Sequence, residues 1–231
     1  MTIINHTYRF IFVHVPKAGG TSVTSALSAL TNYCDQEIGG TAFGEKVQSA
    51  YRDRFGLAKH STSAEIRNLV GAVTWGRYFT FGFVRNPFTR ALSTYHFLRT
   101  WEGQNTKFLE QMRAFESFEE YVLSDIWDQG HGPDQIFRPQ AYWLRAVHGS
   151  QTLPSYVGRL ETIAESLTDI FRIIDAPKHV TESLTVPHRN RSSVRVSDFA
   201  CQDNQVIQKI LDRYEMDFKA FDYAADPPYA T

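Results

Sequence analysis

Cysteine is scarce in this chain: Cys34 and Cys201 are all it has, and their separation fits no metal-binding spacing. A disulfide framework is thereby excluded; a single bridge stays open, and a reducing compartment is the simpler reading. An excess of one charge is lacking too, with 24 lysines and arginines against 25 aspartates and glutamates and a formal net charge of -1. That balance argues against nucleic-acid binding through overall charge, so any basic site must be local. No apolar run reaches the length of a membrane span. Met1 to Arg9 is too polar for a signal peptide, and the apolar stretch behind it is too short for one. Internal repeats, low-complexity tracts and Gly/Ser-rich linkers are also missing. These absences lead to the expectation of a soluble, cytoplasmic chain that folds as one domain over residues 1–231.

What is there is an alternation of strands and helices. Tyr8 to Val15 is aromatic and β-branched with apolar residues on both faces, which predicts a buried strand. Thr21 to Leu30 follows with Val23, Ala26, Leu27 and Leu30 on one helical face. Thr62 and Glu65 have the spacing of a capping box and open a short helix through Leu69. Tyr78 to Val84 reads as a second buried strand. Pro87 suits the first turn of the next helix, where Phe88, Ala91, Leu92 and Tyr95 repeat the apolar spacing. Ser117 with Glu120 marks another helix start, and Tyr156 to Leu160 a third strand. Ile163, Leu167, Ile170, Phe171 and Ile174 stripe the helix after it, and a last helix runs from Gln202 to Tyr214. Tyr33 to Lys59 carries no clear pattern. The alternation predicts an α/β fold, a central parallel sheet flanked by helices.

Two stretches place cations where such a sheet hands over to a helix. In Pro16-Lys17-Ala18-Gly19-Gly20-Thr21-Ser22, a lysine, two glycines and two hydroxyls stand between a strand and a helix. Backbone amides, a cation and a helix N-terminus then converge on one point, which suits a phosphate. The stretch departs from the nucleotide-hydrolase P-loop pattern, whose lysine follows the last glycine and directly precedes Ser or Thr; here Lys17 comes before Gly19-Gly20. The plainer alternative is a tight strand-to-helix turn. In Arg85-Asn86-Pro87-Phe88-Thr89-Arg90-Ala91-Leu92-Ser93, Arg85 stands at a strand's C-terminal end, where open α/β sheets bind ligands. Thr89 and Ser93 lie one turn apart, away from the apolar stripe. Arg85 and Ser93 are candidates for a second phosphate grip, the alternative being a surface arginine and a solvent-facing serine.

Together these stretches resemble the sulfotransferases that use 3′-phosphoadenosine 5′-phosphosulfate (PAPS), most closely the carbohydrate O-sulfotransferases and their bacterial homologues. The resemblance extends from about Arg9 to Tyr223. It implies a P-loop-like sulfotransferase fold and PAPS as co-substrate, with no metal required. It makes Lys17, Ala18, Gly19, Gly20, Thr21 and Ser22 the loop for the 5′-phosphosulfate, Lys17 neutralising charge on the leaving phosphate. Arg85 and Ser93 then hold the 3′-phosphate. The late basic stretch Val186 to Arg195 corresponds to a loop that closes over the nucleotide, with Arg191 and Ser192, and Asn190 behind them, as further donor contacts.

Sulfuryl transfer to a hydroxyl needs a base, and histidine is the usual choice near neutral pH. His60 precedes the short helix before the second strand, where similar proteins place one. It is the candidate base, with Lys59 as an assistant or a plain surface lysine. His14, within the first strand, reads as a core histidine, and His96, His131, His148, His179 and His188 are weaker competitors. Arg138 and Gln140 are candidates for facing an acceptor, and Trp101, Trp127 and Trp143 for sugar stacking, against the plainer reading as core. Gly158-Arg159-Leu160-Glu161 matches a further segment of the family, with Glu161 structural.

The resulting expectation is a sulfotransferase acting on an acceptor hydroxyl, which the resemblance implies is on a carbohydrate or glycoconjugate, with no nucleic-acid partner and no membrane span. The rival expectations are a P-loop-type nucleotide kinase or hydrolase and a non-catalytic nucleotide-binding protein.

Overall fold

Two hydrophobic cores organise the chain, each within its own compact unit. Met1–Val84 with Ala141–Asn190 form the first unit and Arg85–Gln140 with Arg191–Thr231 the second. In this computed structural model the described residues are 1–102, 106–130, 132, 135–145, 153–182 and 199–228.

The first unit holds a five-stranded sheet in the order β3-β1-β2-β4-β5. Its strands are β1 (Thr2–Asn5), β2 (Phe10–Val13), β3 (Gln36–Ile38), β4 (Phe79–Val84) and β5 (Tyr156–Arg159). Strands β2, β4 and β5 are parallel, with Phe12 opposite Phe81 and Gly82 opposite Val157. β1 pairs antiparallel with both β2 and β3. The sheet is therefore mixed, which corrects the expectation of a parallel one. The reason is local: Asn5 pairs with Phe10 across a short turn, and so short a connection permits only an antiparallel pair. The Asp35 carboxylate clamps that turn, accepting from the His6 and Asn32 N–H groups at 2.6 and 2.8 Å and from the Thr7 hydroxyl at 2.9 Å.

Alternation along the strands sends Phe10, Phe12, Phe81 and Phe83 into one core. There they meet Val23, Ala26 and Leu27 of α1 (Gly20–Leu27) and Leu167, Ile170 and Phe171 of α10 (Ile163–Ile173). The stripes expected for both helices are buried, except that Ile163 at the start of the second is only partly so. The unit also contains α2 (Ala42–Phe55), α3 (Ser63–Val70), α4 (Ala72–Arg77), α9 (Ala141–Leu144) and α11 (Lys178–Glu182). Thr62 and Glu65 close the capping box at α3 in both directions.

The second unit is helical: α5 (Pro87–Thr100), α6 (Thr106–Ala114), α7 (Phe118–Val122), α8 (Asp125–Gln129) and α12 (Asn204–Phe221). Its core is aromatic, with Phe88, Tyr95, Phe118, Tyr121, Trp127, Phe137, Phe199, Tyr214 and Phe218 in one cluster. Tyr121 stacks on Tyr95 at 5.6 Å between centroids, and Trp127 meets Tyr214 edge-on at 6.0 Å. α12 runs past the expected end at Tyr214. It departs from helical geometry at that residue and resumes to Phe221, because Phe218 and Phe221 continue its buried face. Cys34 is exposed and Cys201 buried, and neither is bridged. Among the described residues no helix is long and apolar enough to cross a membrane.

Candidate functional site

Within the first unit, β2 leads on toward β3 at one edge of the sheet and β4 toward β5 at the other. The connections therefore diverge between two parallel neighbours, the position at which open α/β sheets leave a ligand crevice beyond the strand ends. The turn after β2 is built from unusual backbone. Lys17 has φ 65° and Gly19 φ 78°, both in the left-handed region, where a lysine is uncommon. Gly19 caps α1 without a side chain, and the first turn of that helix carries no acidic residue. Its positive end is thus left to backbone N–H groups. Lys17 is half-buried, Ser22 half-buried and Thr21 exposed.

Neighbouring side chains hold this turn from two sides. A Cβ on Gly19 would stand 2.4 Å from Leu160 Cδ1, so the residue directly after β5 buttresses the loop. A Cβ on Gly20 would stand 1.7 Å from His14 Nε2. The His14 ring thus occupies the space that only glycine leaves at the start of α1. The nitrogen of Met1 lies against His14 Nδ1, and burial, followed by the charge of Lys59, holds that amine well below its ordinary pKa.

His60 joins the same cluster. Its ring lies 4.4 Å from that of His14, tilted by 38°, and its Nδ1 is 3.3 Å from the His14 carbonyl oxygen. A carbonyl can only accept, so in this contact Nδ1 carries a proton. The segment bearing His60 is pinned by two elements and by a bond of its own. Thr2 of β1 donates to the Ala58 carbonyl at 2.9 Å, Gln48 of α2 accepts the Lys59 N–H at 3.0 Å, and Ser61 accepts the Ala58 N–H at 2.8 Å. Lys59 Nζ pairs with Glu45 at 2.8 Å. Burial alone would raise the Glu45 pKa, but the Lys59 ammonium and the Gly40 N–H bring it below the ordinary carboxylate value.

In the second unit, Arg85 is the residue that follows β4. It is 4% exposed and Ser93 is 3%, which removes the alternative of a surface arginine and a solvent-facing serine. Arg85 Nε donates to Thr89 Oγ1 at 3.0 Å, one helical turn on. Asn86 caps α5, accepting from the Phe88 and Thr89 N–H groups at 3.0 and 3.4 Å, and Pro87 fills the first helical position. Arg90 is fully buried, donating to the Ile136 and Arg138 carbonyls at 3.0 Å each, with its guanidinium over the Tyr214 ring at 5.6 Å.

Several sequence expectations are redirected. Gln140 has no exposed surface, and its amide bonds the backbone of Arg85, which takes it off any face an acceptor reaches. Trp127 and Trp143 are core residues at 3% and 1% exposure, so neither is an open stacking platform, while Trp101 is half-buried and packs against the aromatic cluster. Arg138 is exposed and borders a cavity of about 680 Å³ with Trp127, Lys209 and Arg213. His96 and His179 are exposed on helices. His131, His148, His188, Asn190, Arg191 and Ser192 lie outside the described residues. Among the described residues no group of His, Cys, Asp and Glu gathers as a metal site would. Sequence reasoning missed the pairing of His14 with His60 and the attachment of Gln140 to Arg85, both of which join residues remote in the chain.

Compared with models of known protein families, residues 1–224 match the one described as the sulfotransferase family. No curated protein and no solved structure matches the chain.

Proposed function

The chain belongs to the sulfotransferase family, and on that premise we propose that it moves a sulfuryl group from PAPS to an acceptor hydroxyl, on a carbohydrate or glycoconjugate. The observation that carries the reading is the turn after β2, where Lys17 precedes a helix whose N-terminus has neither a side-chain cap nor an acidic residue. Such an end favours an anion through its N–H groups and dipole. The residues present fit a donor with two anionic ends. The turn suits the 5′-phosphosulfate, and the buried guanidinium of Arg85, with Ser93 on the same helix side as Thr89, suits the 3′-phosphate.

In this scheme Lys17, Ala18, Gly19, Gly20, Thr21 and Ser22 cradle the phosphate that departs. Lys17 and the loop amides offset the charge that grows there as the S–O bond to phosphate breaks. His60 Nε2 takes the acceptor proton as the new S–O bond forms. Its Nδ1–H, held by the His14 carbonyl, keeps the ring in the tautomer that this step needs. The contribution is positioning and fixed electrostatics, as in phosphoryl transfer. Arg191 and Ser192 remain proposed donor contacts by family likeness.

The test is transfer of labelled sulfate from PAPS to glycan fractions by the purified chain. Label appearing in a glycan and lost on hydrolysis of its sulfate ester is the expected result. Label transferred from [γ-labelled] ATP instead, with none from PAPS, would contradict the reading.

A further inference from the structure

A residue that leaves the end of a central strand loses the ladder partners for its N–H and C=O. Val84 still pairs with Arg159 in the sheet; Arg85, next in the chain, does not, and at 4% exposure its backbone needs other partners. Gln140 supplies both. Its Oε1 accepts the Arg85 N–H at 2.8 Å and its Nε2 donates to the Arg85 carbonyl at 2.8 Å, so the side-chain amide takes the place of a neighbouring strand. Gln140 is itself fully buried, and its own N–H donates to Asp217 Oδ2 at 2.8 Å, from a carboxylate that is also fully buried on α12. Arg85 is thus fixed at two levels: its backbone by Gln140, and its guanidinium by the Nε bond to Thr89. A guanidinium fork matches a phosphate bidentately, so where Arg85 is held decides how well it can do so.

We propose that Gln140 is the positioning residue of the 3′-phosphate grip, with Asp217 holding Gln140 in turn. Gln140 touches no substrate; it presets Arg85, and so sets how strongly the protein distinguishes a 3′-phosphorylated adenosine nucleotide from one without that group. The inference rests on the reading of Arg85 given under Proposed function.

The experiment is isothermal titration of the full chain with adenosine 3′,5′-bisphosphate and with adenosine 5′-phosphate, taking the ratio of the two Kd values as the discrimination. Gln140→Met keeps the length and volume of the side chain and removes both amide bonds. Its discrimination should fall by about tenfold, the scale of one charge-assisted hydrogen bond lost through misplacement. Its affinity for adenosine 5′-phosphate should stay at the wild-type value, which a general folding defect would not allow. Should Gln140→Met fail to fold, Gln140→Glu carries the same expectation, because its carboxylate still accepts the Arg85 N–H but has no proton for the carbonyl. Wild-type discrimination in a folded variant, or equal weakening of both nucleotides, overturns the role of Gln140. Arg85→Ala, measured alongside, separates the two levels. Discrimination that survives Arg85→Ala overturns the 3′-phosphate reading itself. Discrimination lost in Arg85→Ala but kept in Gln140→Met overturns only the positioning role.

Discussion

The turn after β2 and the turn after β4, each proposed to hold one phosphate of the donor, are built by opposite means. The first is made of backbone: Lys17 and Gly19 in left-handed geometry, Gly20 pressed against His14, and a helix start with no side-chain cap. The second is made of side chains: Asn86 caps α5, Thr89 holds the Arg85 guanidinium, and Gln140 holds its backbone. A backbone turn can wrap a phosphate closely but has little charge of its own, so it needs Lys17 beside it. A side-chain turn brings a full charge but must fix a long arginine first. The difference teaches where each is vulnerable. The first fails when anything is added, the second when a partner is removed.

The largest effect should come from a residue in neither turn. His60→Ala removes the proposed base, so turnover should drop on the order of 10²–10⁴-fold in a sulfate-transfer assay. The Kd for adenosine 3′,5′-bisphosphate should hold; a parallel loss of binding would show that His60 supports a turn rather than the chemistry. Next comes Gly20→Ala, whose new Cβ meets His14 Nε2 at 1.7 Å. It should cost about 1–3 kcal/mol of stability in chemical denaturation, as overpacking does. It should also weaken adenosine 5′-phosphate and the bisphosphate alike, which is how a backbone turn differs from Arg85. Retained binding and stability would break the contrast between the two turns.

Asn86→Ala probes the side-chain turn more gently, and loss of the cap should lower stability by about 1 kcal/mol. The smallest effect belongs to Glu45→Gln, which releases Lys59 from its pair. Both partners are partly exposed, at 33% and 45%, so no more than about 1 kcal/mol is expected at neutral pH. The folded-state pKa of Glu45 is lowered. Its contribution is therefore present above the unfolded carboxylate value and is lost as pH falls through the lowered folded value. Denaturation curves of Glu45→Gln and wild type should converge in acid; a gap that persists there would assign the effect to packing instead of charge.

The sequence made the two turns legible because their signals are local. Glycines, a lysine and hydroxyls sit within seven residues from Pro16 to Ser22, and Asn86-Pro87 announces a helix start. The stripes on α1 and α10 and the capping box at Thr62 are local too, and the structure has them where they were expected. β1 and β3 escaped notice because they are short and their alternation is broken by polar residues; only pairing across the His6–Arg9 turn and to Gln36–Ile38 makes strands of them. Gln140 is a candidate for facing an acceptor in the sequence, yet its partner Arg85 lies 55 residues earlier. The His14–His60 contact spans 46 residues. Neither spacing has a periodicity that a sequence displays. The tryptophans followed the commoner rule that large aromatics are buried.

The central claim is that the two turns serve one donor with a phosphate at each end of its ribose. Isothermal titration of the purified chain with adenosine 3′,5′-bisphosphate and with ATP tests it most directly. The bisphosphate should bind much more tightly than ATP; equal affinity for the two, or a preference for ATP, would rule out the two-phosphate donor.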